Sequence, residues 1–342
     1  MSPPDGPSDV GGAGGSDADR GQLVLVAGLA LAVVLVALVL VTNTAIYTEN
    51  LATRDDGVGE AEALGYRAAV VDGVGGIVDR ENADEYDDRT ALEANVSAGV
   101  AELDSLLGES AARRAASASV NRSAATYVNG TLIRENGTAA DPNSFTNATG
   151  TAVNWTVATD LNETRGVRGY VAVVNGSELA SASESDPGDA FHVVVTNGTT
   201  AWHAYVYNDT ADDEITVAVK PAGEPVSNTT AVCSTSAANA TVEFTGDALV
   251  GRDCGGFAFG GDVDGRYHLL VRNGNTAGGG YDLTVRTEDA GTVSAGNVSV
   301  TGTADSPYAV PAVYAVRLPI AYETAELEYR ATVRVAPGER DA

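Results

Sequence analysis

Residues 325–335, AELEYRATVRV, carry the pattern that decides the fold. Apolar and polar side chains alternate along this segment. The apolar set is Leu327, Tyr329, Ala331, Val333 and Val335, and the polar set is Glu326, Glu328, Arg330, Thr332 and Arg334. A strand points successive side chains to opposite faces, so this period predicts an antiparallel sheet with one buried face and one wet face.

The same period recurs through the C-terminal two thirds of the chain. Residues 281–286 alternate in the same way, and further strands are predicted at 168–174, 190–196, 201–207, 214–220, 240–245, 266–272 and 310–317. Asn-Gly turn signals follow several of them, at Asn175, Asn197 and Asn273. Many short strands at even spacing predict an antiparallel sandwich over residues 119–338, with a short tail at 339–342.

Residues 49–118 have a helical pattern instead. Apolar side chains recur at helical spacing at Leu64, Val71, Val74 and Val78, and again at Leu92, Val96, Val100, Leu103 and Leu107. Several glycines between 57 and 76 weaken the first of these segments. Because acidic residues are spread along the whole stretch, we predict a solvated, acidic helical stalk.

An apolar run precedes the stalk. Residues 23–41, LVLVAGLALAVVLVALVLV, contain no charged side chain. A helix of this length spans roughly 28 Å, close to the hydrocarbon thickness of a bilayer. We therefore predict a transmembrane helix over 22–48, with the lipid bilayer as a partner. The complete prediction is an α+β fold, in which a long N-terminal transmembrane helix and a helical stalk precede a β-rich, sandwich-like extracellular head.

Residues 1–21 form a polar leader, which we expect to be disordered and cytoplasmic. The leader ends in Asp19, Arg20 and Gly21, and the apolar run follows Gln22 directly. This junction resembles the class III signal of archaeal type IV pilins and archaellins. The resemblance implies that a prepilin-type peptidase cleaves between Gly21 and Gln22. The alternative is an uncleaved anchor, and Val26 departs from the pattern because many pilins carry Glu at that place.

Asn-x-Ser/Thr acceptor sites for N-glycosylation are the most frequent motif. Thirteen of the 19 asparagines lie in such sequons, where chance would give about three. They are Asn95, Asn121, Asn129, Asn136, Asn147, Asn154, Asn162, Asn175, Asn197, Asn208, Asn228, Asn239 and Asn297. Asn-Gly-Thr is also a good turn, and turns and glycans both require surface loops. We predict a glycoprotein, modified by the N-glycosylation machinery, in the cell membrane as a single-pass protein with its C-terminal domain extracellular.

The two cysteines, Cys233 and Cys254, both lie in the predicted head. In an oxidising compartment such a pair most simply closes one loop as a disulfide. Two free thiols, or bonds to neighbouring chains, are the alternatives.

Charge and motifs exclude several function classes. The net charge of −27, from 47 Asp and Glu against 20 Lys and Arg, argues against nucleic-acid binding. His192, His203 and His268 lie in predicted strands with no nucleophile motif beside them, so no catalytic residue is predicted. Asp209, Asp212, Asp213 and Glu214 form an acidic cluster, which surface charge explains. Asp262 and Asp264 begin like a calcium loop, but Asn273 stands where such a loop has Glu. We predict no metal site and no cofactor.

Two stretches, residues 19–54 and 310–338, resemble an uncharacterised haloarchaeal family of pilin-like membrane proteins. The resemblance implies an N-terminal pilin-like signal and a surface location. Our first hypothesis is a structural subunit of a surface or secretion-associated assembly, with self-assembly or other pilin-like subunits as partners. The alternative is a non-polymerising surface protein that uses its sandwich for binding or adhesion. A surface hydrolase is a third hypothesis, which no visible nucleophile–base set supports.

Overall fold

The computed structural model of the chain describes residues 59–162, 166–221, 231–254, 263–288, 291–300 and 306–339. These residues contain two α-helices, α1 (residues 59–83) and α2 (Arg89–Ala112). The predicted leader (1–21), the predicted transmembrane segment (22–48) and the first part of the predicted stalk lie outside the described residues. Most of the described chain beyond α2 forms β-strands.

Ten strands form sheet A, in which every pairing is antiparallel. They are β1 (Ser117–Val120), β2 (Thr126–Glu135), β3 (Asn143–Ser144), β5 (Val167–Asn175), β11 (Asn239–Glu243), β12 (Ala248–Leu249), β13 (Arg252–Asp253), β15 (Gly278–Arg286), β17 (Tyr308–Glu323) and β18 (Glu328–Val335). The main path runs β1-β17-β2-β15-β5-β11-β12-β13. The opening segment is β18, which pairs with the second half of β17.

Eight strands form sheet B. They are β4 (Trp155–Leu161), β6 (Ser181–Ala182), β7 (Phe191–Thr196), β8 (Ala201–Asp209), β9 (Ile215–Pro221), β10 (Ala231–Thr235), β14 (Tyr267–Arg272) and β16 (Thr292–Val293). The order is β10-β9-β8-β7-β14-β4-β16, and the short β6 joins β8 in parallel. One face of sheet B shares a hydrophobic core with sheet A, through residues such as Tyr170 and Tyr281 on one side and Phe191 and Leu269 on the other. The two sheets therefore form a sandwich.

The helices pack against sheet A. A second core joins Val74 and Val78 of α1 and Val96 of α2 to Val316 of β17 and Val333 of β18. These side chains are fully or almost fully buried. Burial of this kind supplies the hydrophobic stabilisation that a helix in water lacks.

Two glycines allow α1 and α2 to approach closely. A Cβ at Gly73 would lie 2.7 Å from the Leu103 side chain, and one at Gly99 would lie 2.8 Å from Ile77. The two contacts run in opposite directions along the helices, so α1 and α2 form an antiparallel hairpin. These glycines weaken each helix locally, but they are what lets the pair pack.

The predicted α+β fold with a stalk is wrong. The described chain is mostly two antiparallel sheets, and its helices lie on sheet A instead of standing in solvent. The prediction relied on acidic residues that are spread along both helices. Only a narrow apolar face of each helix is buried, so the charge pattern did not indicate this packing.

A search of the described residues for a bilayer-spanning helix, one both long enough and apolar enough, finds none. This finding corrects the predicted transmembrane architecture and the predicted localisation as a single-pass cell-membrane protein with an extracellular C-terminal domain. The segment on which both predictions relied, residues 22–48, lies outside the described residues.

The predicted strands all overlap observed ones, and the β-rich, sandwich-like part of the prediction is confirmed. Strands β1, β2, β4 and β10 were missed, together with the two-residue strands. β17 is also longer than predicted, with 16 residues, and contains Pro311 and Pro319, which discourage a strand prediction. Asn273 does not close a hairpin, because it connects β14 of sheet B with β15 of sheet A.

Candidate functional site

The outer face of sheet B brings two of the three histidines together with an arginine and the single lysine of the chain. Pairing of β7, β8, β9 and β14 places Arg272 opposite His192, and His192 opposite Tyr205. In the next row His203 lies opposite Lys220, the single lysine of the chain. We call these five residues the cationic face.

The rings of the cationic face contact one another. The centroids of His192 and Tyr205 are 4.4 Å apart, and those of His192 and His203 are 5.1 Å apart. The Lys220 Nζ lies 5.4 Å from the Tyr205 ring centroid, within the range of a cation–π contact. His192 and Tyr205 are each 7% exposed, whereas His203, Lys220 and Arg272 are half-buried. The face is therefore an ordered layer of side chains and not a set of loose surface groups.

The two histidines are held neutral. Burial lowers the pKa of His192 from 6.5 to about 4, and the nearby positive charges add to that effect. Burial also lowers the pKa of His203, with Lys220 and Arg272 contributing. The His192 Nδ1–H donates to the Ala190 carbonyl oxygen at 2.9 Å, so this ring presents Nε2 as an acceptor.

Lys220 and Arg272 carry the charge of the face. Among the described residues neither forms an ion pair with a carboxylate. Arg272 donates to the carbonyl oxygens of Trp155 and Val271, and burial lowers its pKa.

The histidines do not form a catalytic set with other residues. His203 Nδ1 lies 3.5 Å from the Tyr205 hydroxyl, and His268 Nδ1 accepts from the Asp160 N–H at 3.4 Å. In the part of the chain that the structure describes, no serine or cysteine nucleophile is hydrogen-bonded to any of the three. The arrangement of a nucleophile, an oriented base and an acid is not seen there.

The acidic cluster at Asp209–Glu214 is a turn. Asp209 Oδ1 accepts from the Ala211 N–H, Asp213 Oδ1 accepts from Asn208, and Glu214 Oε2 accepts from Ser234. The carboxylates thus serve separate neighbours. No metal-binding group of three or more His, Cys, Asp or Glu side chains occurs within the described ranges, and Asp262 lies outside them.

Gly278, Gly279 and Gly280 are buried in β15, and they allow strands to pack closely. A Cβ at Gly279 would lie 1.9 Å from the Val173 carbonyl oxygen, and one at Gly280 would lie 1.9 Å from that of Gly137. Trp155 is a core residue whose Nε1–H donates to Phe145 O at 3.1 Å. These positions are structural.

The disulfide is present between Cys233 and Cys254. Cys233 lies in β10 at one edge of sheet B, and Cys254 directly follows β13 at one edge of sheet A. The bond therefore joins the two sheets of the sandwich at their edges. Sequence spacing predicted the pairing but not this role.

The sequon asparagines differ in accessibility. Five are exposed, namely Asn95, Asn121, Asn136, Asn154 and Asn239. Asn147 is only 5% exposed, and its Oδ1 accepts from the Thr151 and Ala152 N–H groups. Asn228 lies outside the described residues, and the others are half-buried.

In sheet B the sequons lie at strand ends. Asn154 precedes β4, Asn162 follows β4, Asn197 follows β7, and Asn208 is the penultimate residue of β8. Within the described strands, no sequon lies in the middle of the cationic face. Glycans at these sites would border the face without covering its centre.

Sequence reasoning missed a buried polar anchor on β17. Three side chains bond to the backbone of Ala312 and Val313: Asn82 of α1, Arg89 of α2 and Arg168 of β5. Arg168, 3% exposed, also reaches Asp79 and the Pro337 carbonyl oxygen. The available signals were Asn82 and Arg89, which stand in an acidic helical stretch. The β17 backbone groups that they bind lie over 200 residues away in the sequence, so no local pattern connects them.

Comparison with known proteins adds one similarity. Residues 17–168 match a family of unknown function, DUF7261. This match covers less than half of the chain, namely the segment before α1, the helical hairpin and the first strands. No curated protein and no solved structure shows significant similarity to the chain.

Proposed function

We propose that this chain is a non-catalytic, glycosylated structural subunit of a pilus-like or secretion-associated assembly. The observation that carries the proposal is the placement of the sequons around an ordered sandwich. The exposed acceptor asparagines lie on the helical hairpin, in loops and at strand ends, whereas the half-buried Asn129 lies inside β2. This distribution suits a protein that is modified on its rim and makes contacts through its faces.

Side-chain geometry supports a role without catalysis. The three histidines, which are the best candidates for a general base, bond to a carbonyl oxygen, a backbone N–H or a neighbouring tyrosine. Among the described residues, none of these bases is hydrogen-bonded to a nucleophile that it could activate.

The sequence resemblance supplies the assembly part of the proposal. The junction at Gly21 and Gln22, which lies outside the described residues, resembles a class III signal. A prepilin-type peptidase would cut between them and leave Gln22 as the first residue. Partners would then be further copies or other pilin-like subunits.

The experiment is mass spectrometry of the protein isolated from a host with both modification systems, combined with sedimentation. We expect an N-terminus at Gln22, glycans at the five exposed asparagines and none at Asn147, and material larger than a monomer. A peptidase-deficient host and an Asn154→Gln variant serve as controls for the two modifications. An intact Met1 or Ser2 together with a strictly monomeric protein would contradict the proposal.

A non-polymerising binding protein is the second candidate. The observation that favours it is the cationic face, whose Lys220 and Arg272 have no carboxylate partner among the described residues and so suit an anionic ligand. A glycosylated protein that stays monomeric at every concentration would favour this second function.

A further inference from the structure

Strands β1, β17 and β18 cover a groove on the side of sheet A that faces away from the helical hairpin. Val120, Ile320, Tyr322 and Val333 of these strands are buried in the core that the helices share. Successive side chains of a strand point to opposite faces, so the residues between them lie on the other side. There a groove of about 590 Å³ crosses the three strands. Its volume is in the range of small-ligand clefts, about 300–1,000 Å³.

The groove has an apolar floor and polar walls. In one row Ser119 of β1 lies opposite Ala321 of β17, which lies opposite Arg330 of β18. In the next row Pro319 lies opposite Thr332. The floor residues of the central strand are half-buried, whereas the wall residues on the flanking strands are exposed. A sugar ring presents C–H groups on its faces and hydroxyls around its edge, so this arrangement suits a carbohydrate.

Asn121, an acceptor site for N-glycosylation, lies in the wall of this groove. Its backbone N–H donates to the Pro319 carbonyl oxygen at 2.9 Å, which fixes the residue beside the floor. The hydroxyl of Ser123, the third residue of the same sequon, donates to Asn121 Oδ1 at 2.8 Å. Asn121 is exposed, and among the described residues its Nδ2, the atom to which a glycan is attached, donates to no acceptor.

We propose that the groove binds the glycan of Asn121, so that its first sugars lie on β17 and β18 instead of extending into solvent. This inference rests on the proposed function as a glycosylated subunit and identifies where one of its glycans binds. The covalent link keeps the sugars at a high effective concentration beside the groove, so weak contacts are enough to hold them. Arg330 Nη2 and Nε bond to Glu323 and Glu328, and its remaining N–H groups can donate to sugar hydroxyls.

The test is a double-mutant cycle on the full-length protein, isolated from a host that glycosylates it. Asn121→Gln removes the glycan, Arg330→Ala removes one wall of the groove, and the double variant removes both. Urea denaturation gives the unfolding equilibrium constant of each protein. We expect Arg330→Ala to raise this constant about fivefold more when the Asn121 glycan is present than when it is absent. The ion pairs of Arg330 are lost in both backgrounds, so their contribution cancels in the cycle.

Two variants serve as controls. Asn95→Gln is matched to Asn121→Gln, because Asn95 is an exposed sequon asparagine on α2 that does not line the groove. The cycle of Asn95→Gln with Arg330→Ala should show no coupling. Thr332→Ala removes a hydroxyl of the groove without a change of charge. It should couple to Asn121→Gln in the same direction, and it replaces Arg330→Ala if that variant does not fold.

Hydroxyl-radical footprinting gives a direct measure of coverage. Pro319 should be oxidised less in the glycosylated wild type than in Asn121→Gln, because the sugars shield the floor of the groove. Asn95→Gln should leave the oxidation of Pro319 at the level of the wild type.

Mass spectrometry of the same samples separates failure of this inference from failure of the proposed function. If Asn121 carries a glycan and the cycle shows no coupling, the groove does not bind that glycan and only this inference falls. If the Asn95 cycle shows equal coupling, the effect is not specific to Asn121 and the inference also falls. If Asn121 is unmodified while other sequons carry glycans, the inference falls and the proposed function stands. If no sequon is modified, the glycosylated role itself falls together with the inference.

Discussion

The side-chain amide of Asn82 hydrogen-bonds to the backbone of β17, as a neighbouring strand would. Its side-chain amide donates to the Val313 carbonyl oxygen at 3.0 Å and accepts from the Val313 N–H at 2.9 Å. Asn82 is 5% exposed, so both bonds are shielded from water. One side chain from α1 thus satisfies a donor and an acceptor that a sheet edge would otherwise leave bare.

We predict that Asn82→Ala lowers the free energy of unfolding by about 1–3 kcal/mol, because the Val313 N–H is left buried without a partner. Asn95→Ala is the control, since Asn95 is an exposed asparagine on α2 and gains the same helix propensity. Guanidinium denaturation of both variants measures the difference. Equal midpoints for the two would show that the Asn82 bonds contribute nothing net.

His192 makes stability depend on pH. Its pKa falls from 6.5 to about 4 on folding because burial disfavours the imidazolium. Arg272 on the adjacent β14 and Lys220 on β9, two strands away, act in the same direction. Between these two values the unfolded chain binds a proton that the folded chain does not. The contribution of His192 is therefore present above about pH 6.5 and is lost as the pH falls toward 4.

We predict that His192→Phe, which keeps a ring against Tyr205, removes part of this acid sensitivity. Urea denaturation at about pH 7, 5.5 and 4.5 should show a stability loss that is smaller in the variant, by on the order of 1 kcal/mol per pH unit. Parallel curves for the two proteins would mean that another group controls the acid response.

At the scale of elements, the helical hairpin shows that apolar periodicity marks the buried face of a helix but does not indicate what covers that face. The predicted apolar positions of α2, including Leu92, Val96 and Val100, are indeed buried. On α1 the buried face is instead Tyr66, Val70, Val74 and Val78, while Leu64 is 59% exposed. The periodicity identified the apolar faces, but no local feature of the sequence indicates that sheet A covers them.

Leu92 provides a test of that packing. It is fully buried on α2, whereas Leu106 on the same helix is 60% exposed. We predict that Leu92→Ala costs about 2–5 kcal/mol of unfolding free energy, because a cavity opens between the helix and its neighbours. Leu106→Ala should change stability by no more than about 0.5 kcal/mol. Similar small losses from both substitutions would indicate a hairpin that does not pack on the sheet.

For the whole molecule, the disulfide and the shared core hold the two sheets together. Cys233 and Cys254 are 21 residues apart and join edge strands of opposite sheets. In the chain-entropy model, a loop of that length restricts the unfolded chain by about 3 kcal/mol.

We predict that the double variant Cys233→Ala with Cys254→Ala is less stable than the wild type by about this amount, 3 kcal/mol. Thermal unfolding of the wild type with and without a reducing agent is the matched comparison, because reduction should reproduce the loss in the wild type and leave the variant unchanged. A variant as stable as the oxidised wild type would show that the bond adds no constraint.

The sequence by itself determined the local features of this protein: alternating strands, apolar helix faces, the cysteine pair, the sequons and the excess of acid. Each depends on residues that are near one another in the chain, so spacing alone reveals it. Only the tertiary structure decided that β18 pairs with β17, that the helices cover sheet A, and that Asn82 reaches Val313. It alone brought Lys220, Arg272 and two histidines onto one face of sheet B. Some of those contacts join residues more than 200 positions apart in the sequence. They follow from strand register and from competition for buried surface, which no local pattern encodes.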